Sequence, residues 1–218
     1  MNEVLSEMEG DVLVLTLNRP EKANAINEAM QNTLVEKLSG SKAIVITASG
    51  SRVFSAGADL KEFSELERGV AAKKRRELLK RTLNAILDYP APLIAAVQGK
   101  ALGAGAMVAL LADELVMADT AELGLPEIKH GIPTPVGYAI VAARSGMTVA
   151  RRMVQDGEPV GPGLADFVFD VSSIKQKALE RARVLAALAG PSYQINKKFI
   201  NAPLKAALAA AFAEADKA

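Results

Sequence analysis

Cysteine and tryptophan are absent from this chain of 218 residues, and histidine occurs only once, as His130. The lack of cysteine excludes disulfides, thiolate zinc sites and cysteine nucleophiles. A single histidine excludes a histidine-rich metal site and leaves only His130 for a Ser-His-Asp triad. Since no serine lies on a suitable nucleophile turn, we interpret His130 as a loop or surface residue. We expect no metal site.

An excess of charge of one sign is also missing, because 26 lysines and arginines nearly balance 25 aspartates and glutamates. The net charge of +1 gives no general electrostatic reason to bind nucleic acid or an anionic membrane surface. No apolar run reaches the roughly 18 residues that span a bilayer, and the acidic N-terminus, MNEVLSEMEGD, lacks a signal pattern. The sequence predicts a cytoplasmic protein that binds neither nucleic acid nor membranes.

Half of the residues are apolar, which is enough for the core of one compact domain. Short β-branched and leucine-rich runs alternate with helical segments until about residue 172, which predicts an α/β fold with largely parallel strands. Beyond that point we expect only helices, separated by proline or loop breaks. The predicted strands are residues 11–18, 42–47, 93–97 and 114–119, and the predicted helices include residues 27–38, 102–113, 175–189, 191–200 and 204–216.

Two predicted turns consist of small residues. The segment LGAGAMVALLAD (102–113) has glycine and alanine in the first turn of a predicted helix, yet it lacks both nucleotide-binding glycine patterns. Glycine there permits either close packing or bare N–H groups that bind an oxyanion. A second such turn, in VFSAGADL (53–60), follows another predicted strand. Both turns could supply N–H donors to one oxygen, but the sequence alone does not show that they meet.

The loop LGLPEIKHGIPTPVG (123–137) places Glu127 after a proline among apolar residues and glycines. A carboxylate in apolar surroundings has a raised pKa and can take and return protons near neutral pH. An exposed or helix-capping glutamate would fit the same letters, so both interpretations stay open from the residues alone.

Taken together, LNRPEKANAIN, FSAGADLKEF, PLIAAVQGKALGAGAMVALLAD and LGLPEIKHGIP resemble the crotonase family, also called the enoyl-CoA hydratase/isomerase superfamily. The resemblance runs from about Val12 to Ser145. It implies a crotonase-like spiral of ββα repeats with the acyl-CoA site in residues 1–172, and a helical C-terminal region, residues 173–218, that builds homotrimers or hexamers. It also implies a coenzyme A thioester as substrate, with no metal and no redox cofactor.

The same resemblance assigns an oxyanion hole to the two turns. The backbone N–H groups of Ala58 and Ala104 would hold the thioester oxygen as it becomes an enolate. Donors of this kind are worth roughly 3 to 4 kcal/mol each in comparable sites. Ala104 stands where glycine is commoner, and its methyl group is tolerable only if the local φ is negative.

Two acid-base positions decide the reaction in this family. A crotonase hydratase uses two glutamates, and the corresponding positions here are Met107 and Glu127. Moving a double bond from carbon 3 to carbon 2 needs one carboxylate, so the sequence favours a Δ3,Δ2-enoyl-CoA isomerase with Glu127 as the proton shuttle. A hydratase that works with one glutamate and a non-catalytic acyl-CoA-binding homologue are the alternatives. Pro135 occupies the position of the extra acid in dienoyl isomerases, which argues against that branch.

The resemblance also implies contacts for the substrate. The basic stretch AAKKRRELLKR (71–81) lies where the family has a mobile substrate loop, and a solvated helix face explains it slightly better than phosphate contact. The implied substrate-binding residues are Lys22, Ala23, Ala25, Ala56, Gly57, Asp59, Leu60, Gly103, Met107 and Pro126.

Overall fold

Strands and helices alternate along most of the computed structural model, which describes residues 2–217. The strands are β1 (Val4–Glu9), β2 (Val12–Leu17), β3 (Ala43–Ala48), β4 (Val53–Ser55), β5 (Leu93–Val97), β6 (Lys100–Leu102), β7 (Glu114–Ala118), β8 (Leu123–Gly124) and β9 (Phe167–Phe169). The helices are α1 (Glu28–Lys37), α2 (Arg68–Asp88), α3 (Ala104–Leu110), α4 (Pro135–Ser145), α5 (Met147–Gln155), α6 (Ile174–Ala186) and α7 (Pro191–Ala215). Short 3-10 helices lie at Pro20–Lys22, Pro126–His130, Pro162–Leu164 and Val171–Ser173.

Two sheets form the frame of the fold. The larger has the strand order β1-β2-β3-β5-β7-β9, in which β1 pairs antiparallel with β2 and every other pair is parallel. The smaller is a parallel sheet in the order β4-β6-β8. Successive ββα units place their first strand in the larger sheet and their second strand in the smaller one, as in β3-β4-α2 and β5-β6-α3. This arrangement confirms the predicted α/β spiral of ββα repeats.

The four predicted strands lie within one or two residues of β2, β3, β5 and β7, because all four are apolar runs buried within the sheet. The predicted helix 27–38 is α1, and its start is fixed by the Asn27 side chain, whose Oδ1 accepts the Met30 N–H at 3.0 Å. The short strands of the smaller sheet and the polar edge strand β1 were not predicted. Strands of two or three residues leave no periodic pattern to read.

The C-terminal region corrects one prediction. We expected a break between residues 200 and 204, but α7 continues through Pro203. An interior proline costs about 3 kcal/mol because a backbone hydrogen bond is lost. Packing on both sides offsets this cost, since Lys197 precedes the proline and Leu208 and Phe212 follow it, all three buried. The helix therefore spans the site that the sequence marks as its end.

The helices after residue 172 pack directly on the preceding units. Helix α6 lies against β2, β3, β5 and β7 of the larger sheet, while α7 lies against α4 and α2. Helix α3 is buried along its whole length between these layers. Among residues 2–217, no helix is long and apolar enough to cross a membrane.

Candidate active site

The smaller sheet brings three segments of the chain to one edge. Its strands β4, β6 and β8 run parallel, so their carboxyl ends lie on the same side. Strand β4 leads into residues 56–58, β6 into residues 103–104 and β8 into residues 125–127. The two small-residue turns and the glutamate loop of the sequence therefore form one site.

The first turn leaves the N–H of Ala58 free. Gly57 has φ +99°, a left-handed conformation that favours glycine, and its carbonyl accepts the Ile26 N–H at 2.7 Å. Asp59 donates its N–H to the Ile26 carbonyl at 2.9 Å. Ala58 lies between these two bonds, and its own N–H finds no acceptor within residues 2–217. This donor is available to a ligand.

The second turn exposes the N–H of Ala104 in the same way. Gly103, with φ +52°, precedes α3, and Ala104 is the first residue of that helix. The φ of Ala104 is not positive, so the condition that the sequence placed on its methyl group is met. No carbonyl in the described part of the chain accepts its N–H, as is usual for the first turn of a helix.

The two turns are in direct contact. A Cβ built on Gly57 would lie 3.6 Å from the Ala104 nitrogen and 3.0 Å from the Leu102 carbonyl oxygen. A Cβ built on Gly103 would lie 3.8 Å from the Gly57 Cα. Glycine at these positions serves both close packing and exposure of N–H groups, so the two explanations that the sequence left open are joint properties of one arrangement.

Glu127 completes this group of residues. It lies in the 3-10 helix that begins at Pro126, and its Oε1 is 3.0 Å from a Cβ built on Gly103. Its Oε2 is buried without a hydrogen-bond partner among the described residues. Burial raises the pKa of the Glu127 carboxyl group above its usual range. The carboxylate is therefore poised to take up a proton beside the two N–H donors.

Met107 lies one turn along α3 from Gly103, and its N–H donates to the Gly103 carbonyl at 3.0 Å. Residues four apart share a helix face, so Met107 occupies the face that meets the glutamate loop. Its side chain is 4% exposed and carries no group that could transfer a proton. Glu127 is the only carboxylate at this contact of the three segments among the residues described.

A cavity of about 550 Å³ opens next to Ala58. Of the predicted substrate-binding residues, Ala23 and Ala56 do not line this cavity, and the Ala56 N–H donates to the Ala23 carbonyl at 2.9 Å. Gly57, Gly103, Met107 and Pro126 lie instead at the Glu127 end of the site. The cavity is lined by Arg19, Lys22, Ala25, Asn27, Ala58, Asp59, Leu60, Lys61 and Glu62.

Arg19 is a site residue that the sequence analysis did not single out, although it belongs to the quoted segment LNRPEKANAIN. Both terminal nitrogens of its guanidinium donate to Asp59 Oδ2 at 3.0 Å, and Nη1 also donates to the Ala25 carbonyl at 2.6 Å. This pairing uses the charge of Arg19 within the protein. Lys22 and Lys61 therefore supply the positive charge that the cavity can offer to a ligand, and Lys61 was also missed.

A second, apolar cavity of about 410 Å³ is formed by the residues that follow Glu127 along the chain, together with residues of α4 and α5. His130 belongs to the same loop and is exposed, as expected. The lining consists of Ile128, Gly131, Ile132, Pro133, Thr134, Pro135, Tyr138 and Val154.

The basic stretch 71–81 lies within α2, where several of its cations interact with protein groups. Lys74 pairs with Glu28 at 2.9 Å, Arg76 pairs with Asp216 at 2.7 Å, and Arg75 donates to the Glu62 carbonyl at 3.1 Å. These contacts agree with a surface helix face. The described residues also contain no group of three or more acidic or histidine side chains that could hold a metal ion.

The fold and this site define a class: an α/β spiral in which two backbone donors and one buried carboxylate meet at a sheet edge. The family model described as enoyl-CoA hydratase/isomerase matches residues 7–217. The chain belongs to the enoyl-CoA hydratase/isomerase family, the crotonase superfamily, and it is an enzyme of the enoyl-CoA hydratase/isomerase type. The family recognised in the sequence motifs is thereby confirmed.

Individual relatives agree with this assignment and differ in their reactions. A 2,3-dehydroadipyl-CoA hydratase from Escherichia coli K12 is 35% identical over 226 residues, covering 98% of this chain and 88% of the relative. A carboxymethylproline synthase from Pectobacterium carotovorum is 29% identical over 212 residues, covering 92% and 85%. The crystal structure of an enoyl-CoA hydratase/isomerase from Xanthobacter autotrophicus Py2 matches with a TM-score of 0.88 and 26% identity, covering 99% and 85%. Membership of the family therefore does not identify the reaction, which has to be inferred from the residues of the site.

Proposed function

We propose that this enzyme is a Δ3,Δ2-enoyl-CoA isomerase in which Glu127 is the only proton shuttle. The observation that carries the proposal is the single carboxylate at the contact of the three segments. Glu127 lies against Gly103, while Met107 fills the position on α3 where a hydratase of this family has its second glutamate. One carboxylate is sufficient for a proton to leave one carbon and arrive at another.

In the proposed reaction the thioester oxygen of a 3-enoyl-CoA accepts hydrogen bonds from the N–H groups of Ala58 and Ala104. Glu127 removes a proton from carbon 2, and the electron pair of the broken C–H bond moves into the thioester, forming a dienolate. The same carboxyl group then returns the proton to carbon 4, and the double bond comes to rest between carbons 2 and 3. Each N–H donor contributes about 3 to 4 kcal/mol to dienolate stabilisation.

The environment of Glu127 suits both proton transfers. A carboxylate in this environment is a stronger base than one in water, because burial disfavours its charged form and raises its pKa by more than the hydrogen bond from the Glu127 N–H lowers it. The resulting carboxylic acid is correspondingly less acidic, and it keeps the proton until the dienolate can accept it at carbon 4. A catalytic pKa close to the operating pH serves both steps.

We place the coenzyme A moiety in the cavity beside Ala58, with the phosphates near Lys22 and Lys61. Lys22 and Lys61 can pair with phosphate oxygens, while Ala25 and Leu60 belong to backbone segments that line the same cavity. The proposed chemistry requires neither a metal nor a redox cofactor, because the thioester itself is the electron sink.

The decisive experiment supplies the enzyme with a 3-enoyl-CoA and, separately, a 2-enoyl-CoA in deuterated water. Mass spectrometry and NMR then locate deuterium and any added hydroxyl group. Conversion of the 3-enoyl thioester to the 2-enoyl thioester without a 3-hydroxy product supports the isomerase, and carbon 4 should carry less than one full deuterium because Glu127 returns there the proton that it took from carbon 2. A bound thioester that neither isomerises nor exchanges its carbon 2 protons would contradict it and indicate a binding protein.

A hydratase that works with one glutamate is the second candidate, and the names of the relatives favour it. The 35% identical relative from E. coli is a hydratase by name. In this case a 3-hydroxy product forms from the 2-enoyl thioester, and Met107→Glu increases its rate because the second carboxylate orients the attacking water. No increase in hydration by Met107→Glu would count against this candidate.

We also propose that the enzyme assembles as a homotrimer or as a hexamer of two trimers. Support comes from the surface of α7, where Ile195, Phe199 and Ile200 are 68%, 81% and 71% exposed. Adjacent exposed apolar side chains of this size are typical of a protein–protein contact.

A further inference from the structure

Ser55 is a fully buried polar residue with contacts to both turns of the site. It is the last residue of β4 and pairs with Ala101 of β6, after a register shift between Val53 and Ser55. Its exposure is 0%, so its hydroxyl group must be satisfied within the protein. The proposed isomerisation assigns it no role.

The Ser55 hydroxyl fixes the first turn through two hydrogen bonds. It donates to the Asn24 carbonyl at 2.9 Å and accepts the Gly57 N–H at 3.2 Å. The Gly57 carbonyl is held in turn by the Ile26 N–H. In a trans peptide the C=O and N–H groups point in opposite directions, so this orientation of the Gly57 carbonyl directs the Ala58 N–H away from Ile26.

The acceptor of the Ser55 hydroxyl is itself rigid. Asn24 is 1% exposed and has φ +51°, a conformation that few residues other than glycine adopt. Its side-chain amide donates to the Ser49 and Val53 carbonyls at 3.0 and 3.1 Å. Its Oδ1 accepts the Arg19 N–H at 2.9 Å. The Ser55 hydroxyl is therefore anchored to a fixed point of the backbone.

The same side chain also meets the second turn. A Cβ built on Gly105, the second residue of α3, would lie 2.5 Å from the Ser55 Cβ and 2.7 Å from its Oγ. Real atoms do not approach so closely, so only glycine allows α3 to rest on Ser55. This contact therefore sets the distance between residues 56–58 and the first turn of α3, which presents the Ala104 N–H.

We propose that Ser55 is a positioning residue that sets both the orientation of the Ala58 N–H and its separation from the Ala104 N–H. This inference rests on the proposed use of these two groups as an oxyanion hole. It does not depend on whether the enzyme isomerises or hydrates its substrate, because both reactions develop charge on the same thioester oxygen. Ser55 acts through the backbone and does not touch the substrate.

The test compares Ser55→Ala with a matched control, Thr82→Val. Thr82 is 1% exposed and its single hydroxyl hydrogen is shared between two acceptors, Gln31 Oε1 and the Leu78 carbonyl, but it lies in α2. Four quantities are measured: the melting temperature, kcat, KM, and the infrared carbonyl stretch of bound butyryl-CoA labelled with ¹³C at the thioester carbon. The carbonyl stretch reports hydrogen bonding to the thioester oxygen directly.

We expect Ser55→Ala to lower kcat about 10- to 100-fold, because a displaced donor stabilises the developing charge less well. KM should change less than threefold. The bound carbonyl stretch should move back towards its value in free butyryl-CoA, while Thr82→Val leaves kcat and the stretch unchanged even if its melting temperature falls. A stretch that Ser55→Ala leaves at the wild-type value, or one that both variants shift equally, would overturn the proposal.

Two further outcomes keep the result interpretable. If Ser55→Ala does not fold, Ser55→Cys keeps a weak donor and acceptor at the same place and should show a smaller loss of kcat with a partial shift of the stretch. A wild-type enzyme that polarises the bound carbonyl but does not isomerise 3-enoyl-CoA would contradict the isomerase alone. A wild-type enzyme without carbonyl polarisation would overturn the oxyanion hole and the role of Ser55 together.

Discussion

At the residue scale, Glu127 combines a cost to the fold with the use that we propose for it in the reaction. Its Oε2 is buried without a partner, and its pKa is raised because burial disfavours the charged form. A glutamate placed for stability would be exposed or paired. The unpaired carboxylate is typical of a group whose proton affinity matters more than its contribution to the fold.

Replacing Glu127 by glutamine tests this trade-off. We expect Glu127→Gln to lower kcat at least 100-fold, since removing a general base costs about 10² to 10⁴ in rate. The raised pKa means that the native state favours the protonated form of Glu127 more than the unfolded state does. The free energy of unfolding therefore falls as the pH rises through the pKa of Glu127 in the native state. Glutamine removes this effect, and the melting temperature at neutral pH should stay equal or rise.

The control for this substitution is Glu180→Gln, which makes the same chemical change on the exposed surface of α6. Enzyme assays should show that Glu180→Gln is fully active, and thermal unfolding should show that it is folded. Full activity of Glu127→Gln would disprove the shuttle, and a large fall in its melting temperature would indicate a structural role instead.

The pH dependence of kcat/KM gives a second residue-scale prediction. In the proposed isomerisation the free enzyme needs Glu127 as a carboxylate to remove the carbon 2 proton, so kcat/KM should fall as the pH is lowered through the Glu127 pKa. Because burial raises that pKa, the inflection should lie above the usual glutamate range. Initial rates between pH 4 and 9 measure it, and an inflection at or below the usual range would contradict the desolvated site.

The sequence predicted some residues of the site better than others. Glu127 and the two turns could be found because glycine and proline mark them, and the family motifs give them an order. Ser55, Asn24 and Arg19 could not be singled out, because their roles come from contacts across 25 to 50 positions with no local pattern. The positions that fix the N–H donors become visible only when the turns are packed together.

At the element scale, buried strands were predictable and the strands that carry the site were not. The four central strands of the larger sheet are continuous apolar runs. Strands β4, β6 and β8 have only two or three residues each, and their pairing comes from the ββα connections. The break wrongly predicted at Pro203 also reflects structure that local sequence does not encode, because tertiary packing of α7 outweighs the tendency of proline to end a helix.

Helix α7 offers an element-scale prediction through Lys197, which is 7% exposed. Its Nζ donates to Asp113 Oδ2 at 2.7 Å and to the Ala91 carbonyl at 2.9 Å. Burial lowers the pKa of Lys197 and raises that of Asp113, and their mutual attraction opposes both shifts. Lys197→Met leaves the Asp113 charge buried without its cation, so we expect the free energy of unfolding to fall by about 3 kcal/mol.

Urea unfolding measures this loss against Lys205→Met, which removes the more exposed partner of Asp88 from the same helix. That control should lose less than about 1 kcal/mol. The double variant Lys197→Met with Asp113→Asn should recover part of the stability, because no buried charge remains unpaired. Equal losses in Lys197→Met and Lys205→Met would contradict a special role of the buried pair in docking α7.

At the scale of the whole molecule, the fold was predictable from the order of its motifs, and the proposed functional unit extends beyond one chain. The spiral places α7 on α4 and α2, with Ile195, Phe199 and Ile200 facing away from the core. An apolar surface of this kind is costly in water, and a second copy of the chain can cover it. The proposed trimer therefore depends on the first half of α7.

Phe199→Glu tests this dependence, because a carboxylate in an apolar contact between copies would be buried without a partner. We expect sedimentation equilibrium to show the wild-type enzyme as a trimer or hexamer and Phe199→Glu shifted towards the 22.9 kDa monomer. Lys198→Glu adds the same side chain at the neighbouring exposed position and should leave the assembly intact if the contact is formed by the apolar side chains alone. A monomeric wild-type enzyme, or an undiminished oligomer of Phe199→Glu, would contradict the proposal. An intact circular dichroism spectrum of the variant separates lost assembly from lost folding, since Phe199 is 81% exposed and contributes little to the core of a single chain.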